Sequence, residues 1–126
     1  MVRYINKSSK VVAVSSQLPV ASRPLLPPAQ ARQLMQLFKV FANDTRLRLL
    51  HALVRECELC VTDLANVVSM KPHAVSNQLQ RLVDRGILSA RREGSNVCYR
   101  IEDPCVPILL ERGMCLIECC PENRDV

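Results

Sequence analysis

A chain of 126 residues, 48% of them apolar and 23% charged, can bury one modest core and is too short for several domains. It holds no run of about 18 apolar residues, which excludes a helical membrane span, and its N-terminus lacks the compact apolar core of a secretion signal. A cytoplasmic location is therefore expected.

The formal charge of +5 is unevenly spread: residues 1–26 carry +4, 27–70 carry +1, 71–100 carry +4 and 102–126 carry −4. Such a footprint suits a polyanion bound on one face. Seven cysteines in a reducing compartment, an odd number, argue against a disulfide framework and for metal binding or thiol chemistry. The plainer alternative is that several are small buried apolar residues.

Residues 1–28 mix Ser, Lys, Val and Pro without a helical period and close on Pro19, Pro24, Pro27 and Pro28. A mostly disordered basic arm is expected, with the apolar run Val11 to Val14 suited to a strand or to docking. The folded domain is expected over residues 29–120, followed by a short tail, 121–126. From Ala29, Leu34, Leu37, Phe38 and Phe41 recur at i, i+3, i+4 and i+7 and predict a helix ending near Ala42. Asn43 or Asp44 is placed to cap a second helix with Leu47, Leu50, Leu53 and Val54 on its buried side.

The stretch from Val61 to Leu88 holds two short helical patterns hinged on Ser69-Met70-Lys71. Leu64, Ala65 and Val68 form the apolar face of the first, which Thr62 or Asp63 would cap. Pro72 suits the first position of the second, where its missing N–H has no partner to lose. From there Val75, Leu79, Leu82 and Val83 face a core, leaving His73, Ser76, Asn77, Gln80 and Arg81 outward, with Lys71 at the entry. An outward face with no carboxylate before Asp84 carries the donors and acceptors that read base edges in a major groove. It reads as the recognition helix of a helix-turn-helix; an ordinary polar surface helix is the plainer account.

Gly86 stands where a helix C-terminal glycine is expected. Ile87 to Arg92 and Val97 to Ile101 then alternate as two strands joined at Glu93-Gly94-Ser95-Asn96, a β-hairpin wing. Arg91, Arg92 and Arg100 place positive charge along it for phosphate contact, unless they only solvate a hairpin edge. Asp103 to Cys120 reads as a final helix with Val106, Leu109, Leu110, Gly113 and Ile117 on one face. A small domain does not wholly cover such a face, so it is a natural dimer surface. The expected architecture is mainly α, five helices with a two-stranded wing, a dimeric winged helix-turn-helix.

The thiols fall into groups. Cys57 and Cys60, separated by two residues, can share an ion at a helix end; one buried and one exposed is the simpler reading. Cys115 and Cys119 share a helix face, with Cys120 adjacent and Glu118 as a further donor. Cys105 lies ten residues before Cys115, about 15 Å along a helix, too far for one ion within a chain but not across an antiparallel helix pair. Such thiols suit Hg(II), Pb(II), Cd(II) or a trivalent arsenical better than Zn(II). Cys98, beside Tyr99 in the wing, reads as a packing residue. No organic cofactor is implied, and no nucleophile, base and orienting group recur at a spacing an enzyme would use.

The chain resembles the ArsR/SmtB family of winged-helix repressors from about Ala29 to Ile117. The matching blocks are Phe41-Ala-Asn-Asp-Thr-Arg-Leu-Arg-Leu-Leu50, Glu58-Leu-Cys-Val-Thr-Asp-Leu64, Ala74-Val-Ser-Asn-Gln-Leu-Gln-Arg-Leu82, Gly86-Ile-Leu88 and Arg92-Glu-Gly-Ser-Asn-Val-Cys-Tyr-Arg100. The resemblance implies a homodimer built through the first and last helices that represses from double-stranded operator DNA until a metal or metalloid ion binds. Thr62 stands where arsenic- and cadmium-type members carry a second cysteine, and Asp103-Pro104-Cys105 where zinc-type members carry Asp-x-His. Two functional readings follow: a thiolate-based metal or metalloid sensor, or a thiol-redox sensor in which Cys57 and Cys60, or Cys115 and Cys119, form a disulfide.

Overall fold

Residues 3–5, 11–13 and 19–119 are described by the structure, a computed structural model, and each helix within them starts or stops at an identifiable signal. Helix α1 (Pro28–Phe41) begins with proline in its first turn. Helix α2 (Asp44–Glu56) is capped by Asn43, whose side-chain oxygen accepts the Arg46 N–H at 2.9 Å. Helix α3 (Val61–Val68) ends on Ser69 in the left-handed conformation, φ 56°, and the Met70 N–H returns to the Ala65 carbonyl. Three residues later α4 (Pro72–Asp84) starts on Pro72. It ends in a Schellman turn, with Gly86 at φ +77° and the N–H groups of Gly86 and Ile87 bonded to the carbonyls of Val83 and Leu82.

The wing is β4 (Leu88–Glu93) and β5 (Asn96–Ile101), antiparallel in the register Leu88↔Ile101 to Glu93↔Asn96. Its two-residue turn carries Gly94 at φ +66° in the first position, as a type II′ hairpin requires. A third strand that the residue pattern does not predict, β3 (Leu59–Cys60), pairs antiparallel with the other edge of β5, giving the order β3-β5-β4. Helix α5 (Cys105–Cys119) follows, with the Asp103 carboxylate accepting the Cys105 N–H at 2.8 Å. In the N-terminal arm, expected to be mostly disordered, β1 (Arg3–Ile5) and β2 (Val11–Ala13) pair antiparallel.

The core lies where α2, α3 and α4 meet the sheet: Leu49, Leu50, Leu53, Leu64, Val75, Leu79 and Leu82 are all at most 1% exposed, joined by Ile87, Leu88, Tyr99 and Val106. Each such aliphatic side chain stabilises the fold by roughly 1.5–3 kcal/mol through burial, so this junction fixes α4 against the wing. Two expectations for the helices fail. Leu47 and Val54 of α2 are exposed, and Leu49 takes the buried position, because the core reaches α2 from the α3–α4 side. Neither Thr62 nor Asp63 caps α3; the N-cap is Cys60, which the short strand β3 delivers there. The apolar faces of α1 and α5 stay open: Leu34, Met35, Phe38, Leu109, Met114 and Ile117 are exposed. Together with Phe41, Leu47 and Gly113, several of them line one apolar groove between α1, α2 and α5. Among the described residues no helix is long and apolar enough to cross a membrane.

Candidate nucleic-acid interface and thiol sites

Helix α4 buries Val75, Leu79 and Leu82 and turns His73, Asn77, Gln80 and Arg81 to solvent, with Ser76 half-buried and Lys71 exposed at its N-cap. Of the residues expected to face a groove, all but the half-buried Ser76 are exposed. Gln80 is partly engaged, its amide donating to Asp84 at 2.8 Å. A polar tie to the flank of the helix comes from Arg46, which the helical pattern does not single out. It donates through Nε to the Val40 carbonyl at 2.7 Å and through Nη1 to the Gln78 side-chain oxygen at 2.7 Å. One guanidinium thus ties the end of α1 and the start of α2 to the flank of α4. A polar residue at the half-buried position 78 is the available signal.

On the wing the arginines differ. Arg91 donates to both carboxylate oxygens of Glu58, at 3.1 and 3.2 Å, and lies 3.5 Å from Glu93. Its guanidinium is held above its ordinary range, first by the hydrogen bonds to Glu58 and then by the Glu58 and Glu93 charges. Arg92 and Arg100 are exposed.

The cysteines are not arranged as the spacing suggests. Cys60 sits directly across from Cys98 in the β3–β5 register, and their sulfurs are bonded. Two expectations are thereby corrected: that Cys60 acts together with Cys57, over a shared ion or in a disulfide, and that Cys98 only packs. The cause is the two-residue strand β3, which carries Cys60 away from Cys57 and onto β5. Cys57 is a free, exposed thiol ending α2 at φ +73°, lining a crevice with Arg100, Asp103 and Pro107. The Glu93 carboxylate lies 3.7 Å from the Cys98 sulfur, and the donor atoms of Cys60, Glu93 and Cys98 all fall within 4.8 Å.

On α5, Cys105, Cys115 and Cys119 are exposed free thiols. Cys115 and Cys119 stand with their sulfurs 3.1 Å apart, as the four-residue spacing on one helix face allows. The Cys119 thiol is pushed up, first by its hydrogen bond with Cys115, then by desolvation and the nearby Glu118 charge. Cys115 and Cys119 thus place two soft donors on one exposed face, the donor type a thiophilic ion prefers, while Glu118 does not close a three-donor cluster with them among the described residues. His51, Glu111, Cys115 and Glu118 line one crevice between α2 and α5. Cys120 lies outside the described residues.

Residues 43–90 match the model of "Bacterial regulatory protein, arsR family". The structure is similar to that of the AntR antimony-specific transcriptional repressor, with 60% identity, a TM-score of 0.74, and 85% of this chain and 97% of that one covered. It is also similar to the homodimeric winged helix-turn-helix DNA-binding domain of Mb0332 from Mycobacterium bovis, a possible ArsR-family regulator, at 28% identity and a TM-score of 0.67, covering 85% and 98%. The cadmium resistance transcriptional regulatory protein CadC of Listeria innocua is 35% identical over 77 residues, 61% of this chain; the match spans only 65% of that relative's length.

Proposed function

The chain belongs to the arsR family of bacterial regulatory proteins, and from that premise we propose that it is a homodimeric repressor that releases operator DNA when a thiophilic metal or metalloid ion binds the α5 thiols. The observation that carries this reading is that Cys105, Cys115 and Cys119 stand as free thiols on the same helix whose apolar side is left uncovered.

Pairing two copies through α1 and α5 covers Phe38, Leu109, Met114 and Ile117. Among the described residues a Cβ at Gly113 would meet no heavy atom within 4 Å, which leaves that part of α5 open to a partner. If the two α5 helices run antiparallel, Cys105 of one protomer comes beside Cys115 of the other, closing the roughly 15 Å that separates them along one helix. The dimer presents two α4 helices to a two-fold site, with Lys71, His73, Ser76, Asn77, Gln80 and Arg81 reading and holding the duplex and Arg92 on the wing meeting phosphate. The bound ion would supply cross-linking between thiolates of the two protomers. Release requires that the ion favour the DNA-free arrangement by a coupling energy typically of about 1–3 kcal/mol. The antimony-specific and cadmium regulators among its relatives support an ion of this soft class.

Complementation tests the shared site. Cys105→Ser and Cys115→Ser homodimers should each keep operator DNA in the presence of Cd(II) or Sb(III). The mixed dimer retains one intact Cys105–Cys115 pair and should regain partial release. A mixed dimer as inert as its parents would refute the cross-protomer pairing. The 3.1 Å separation of Cys115 and Cys119 also favours a second reading, release by their oxidation to a disulfide. Release by metal under full reductant separates the first reading from the second.

A further inference from the structure

One cluster has no part in the reading above: the sulfur pair beneath the wing. Residues Cys60, Cys98 and Arg91 stand in one row across β3, β5 and β4, through the pairs Cys60↔Cys98 and Arg91↔Cys98. Glu58, two residues before Cys60, sends its carboxylate along the same row to the Arg91 guanidinium. The strand that brings Glu58 there is only two residues long, so the covalent link and the ion pair depend on the same slender join. Cys98 is 2% exposed, Cys60 is half-buried, and the Glu93 carboxylate lies against Cys98.

We propose that Cys60 and Cys98 are an oxidation-sensitive dithiol, closed by hydroperoxides, whose disulfide holds the Glu58–Arg91 pair shut and withdraws Arg91 from DNA. The inference rests on the operator-binding reading above and is independent of the α5 thiols. Cys60, the less buried of the two residues, attacks a peroxide oxygen as the thiolate; the O–O bond breaks, an alcohol or water leaves, and Cys60 becomes a sulfenic acid. Cys98 then attacks that sulfur, the S–S bond forms, the S–O bond breaks, and hydroxide leaves as water with the thiol proton, which Glu93 is placed to accept. Two thiols lose two electrons in all, and the hydroperoxide gains them. With the link open, an exposed ion pair is weak by itself, and a phosphate can take Arg91 from Glu58.

The test uses the full chain, reduced anaerobically or treated with hydrogen peroxide. Trypsin should release peptides 56–81 and 93–100 joined by a disulfide after peroxide; Cys57→Ser should leave that link and Cys60→Ala abolish it. The oxidised dimer should bind operator roughly tenfold more weakly at low salt, with a salt slope shallower by about 2, because each protomer then holds one phosphate fewer. Glu58→Gln should keep the cross-link yet erase the affinity difference. Cys60→Ala should erase the peroxide response assigned to this pair while Cd(II) still releases its DNA. Absence of the cross-linked peptides, or equal affinity and slope in the two states with the cross-link present, overturns the proposal. Failure to bind operator in either state would overturn the repressor reading as well.

Discussion

Replacing Arg46 with alanine removes the side chain that fastens α1, α2 and α4 together away from the apolar core. Two of its hydrogen bonds are short, 2.7 Å to the Val40 carbonyl and 2.7 Å to Gln78, while the contact with the Lys39 carbonyl at 3.5 Å is too long to count for much. Hydrogen bonds to a charged donor contribute about 1.5–3 kcal/mol each, and the low end applies because the site is only part-buried, so Arg46→Ala should cost about 3 kcal/mol. Gln78→Ala removes one of the two bonds and should cost about 1.5 kcal/mol, and the double variant should cost no more than Arg46→Ala alone. Urea unfolding at a fixed protomer concentration measures both, as a lower midpoint with an unchanged slope. Since α4 would lose its angular reference, operator affinity should fall in both variants. Additive costs in the double variant would show that Arg46 and Gln78 act independently and refute the bridge.

Arg81→Ala should weaken operator binding by about tenfold while leaving the dimer intact in sedimentation, as expected when one groove or phosphate interaction is removed. Phe38→Glu places a charge on the open apolar face and should shift the protein to monomers with the helical circular dichroism retained; an unchanged dimer would move the interface elsewhere. Thiophilic-ion affinity should rise with pH through and above neutrality. Cys119 is held up in its protonated form, so below its pKa the ion must displace a proton, and that cost falls as pH rises. A pH-independent affinity would place the ion away from Cys115 and Cys119.

Much of the fold is legible from residue order because the signals are local. Asn43 caps α2, Pro72 opens α4, Gly86 closes it with a positive φ, and Val75, Leu79 and Leu82 repeat on one buried side. The outward face of α4 follows directly from that repeat, and the pairing of Cys115 with Cys119 follows from helical spacing. The features that residue order hides depend on tertiary placement. A strand of two residues has no period to detect, so β3 escapes the pattern, and with it the Cys60–Cys98 pairing, the cap of α3 and the neutralisation of Arg91 by Glu58. Likewise the exchange of Leu47 for Leu49 in the core turns on which side of α2 the other helices approach, and a short apolar period tolerates either.

The most direct test of the central claim is fluorescence anisotropy of labelled operator DNA with the fully reduced dimer during titration with Cd(II) or Sb(III), with α5 thiolate binding followed by the sulfur-to-metal absorption band in the Cd(II) arm. Release should track occupancy and disappear in a Cys105→Ser/Cys115→Ser/Cys119→Ser variant that still binds the operator. DNA that stays bound after the α5 thiols are saturated would contradict the account.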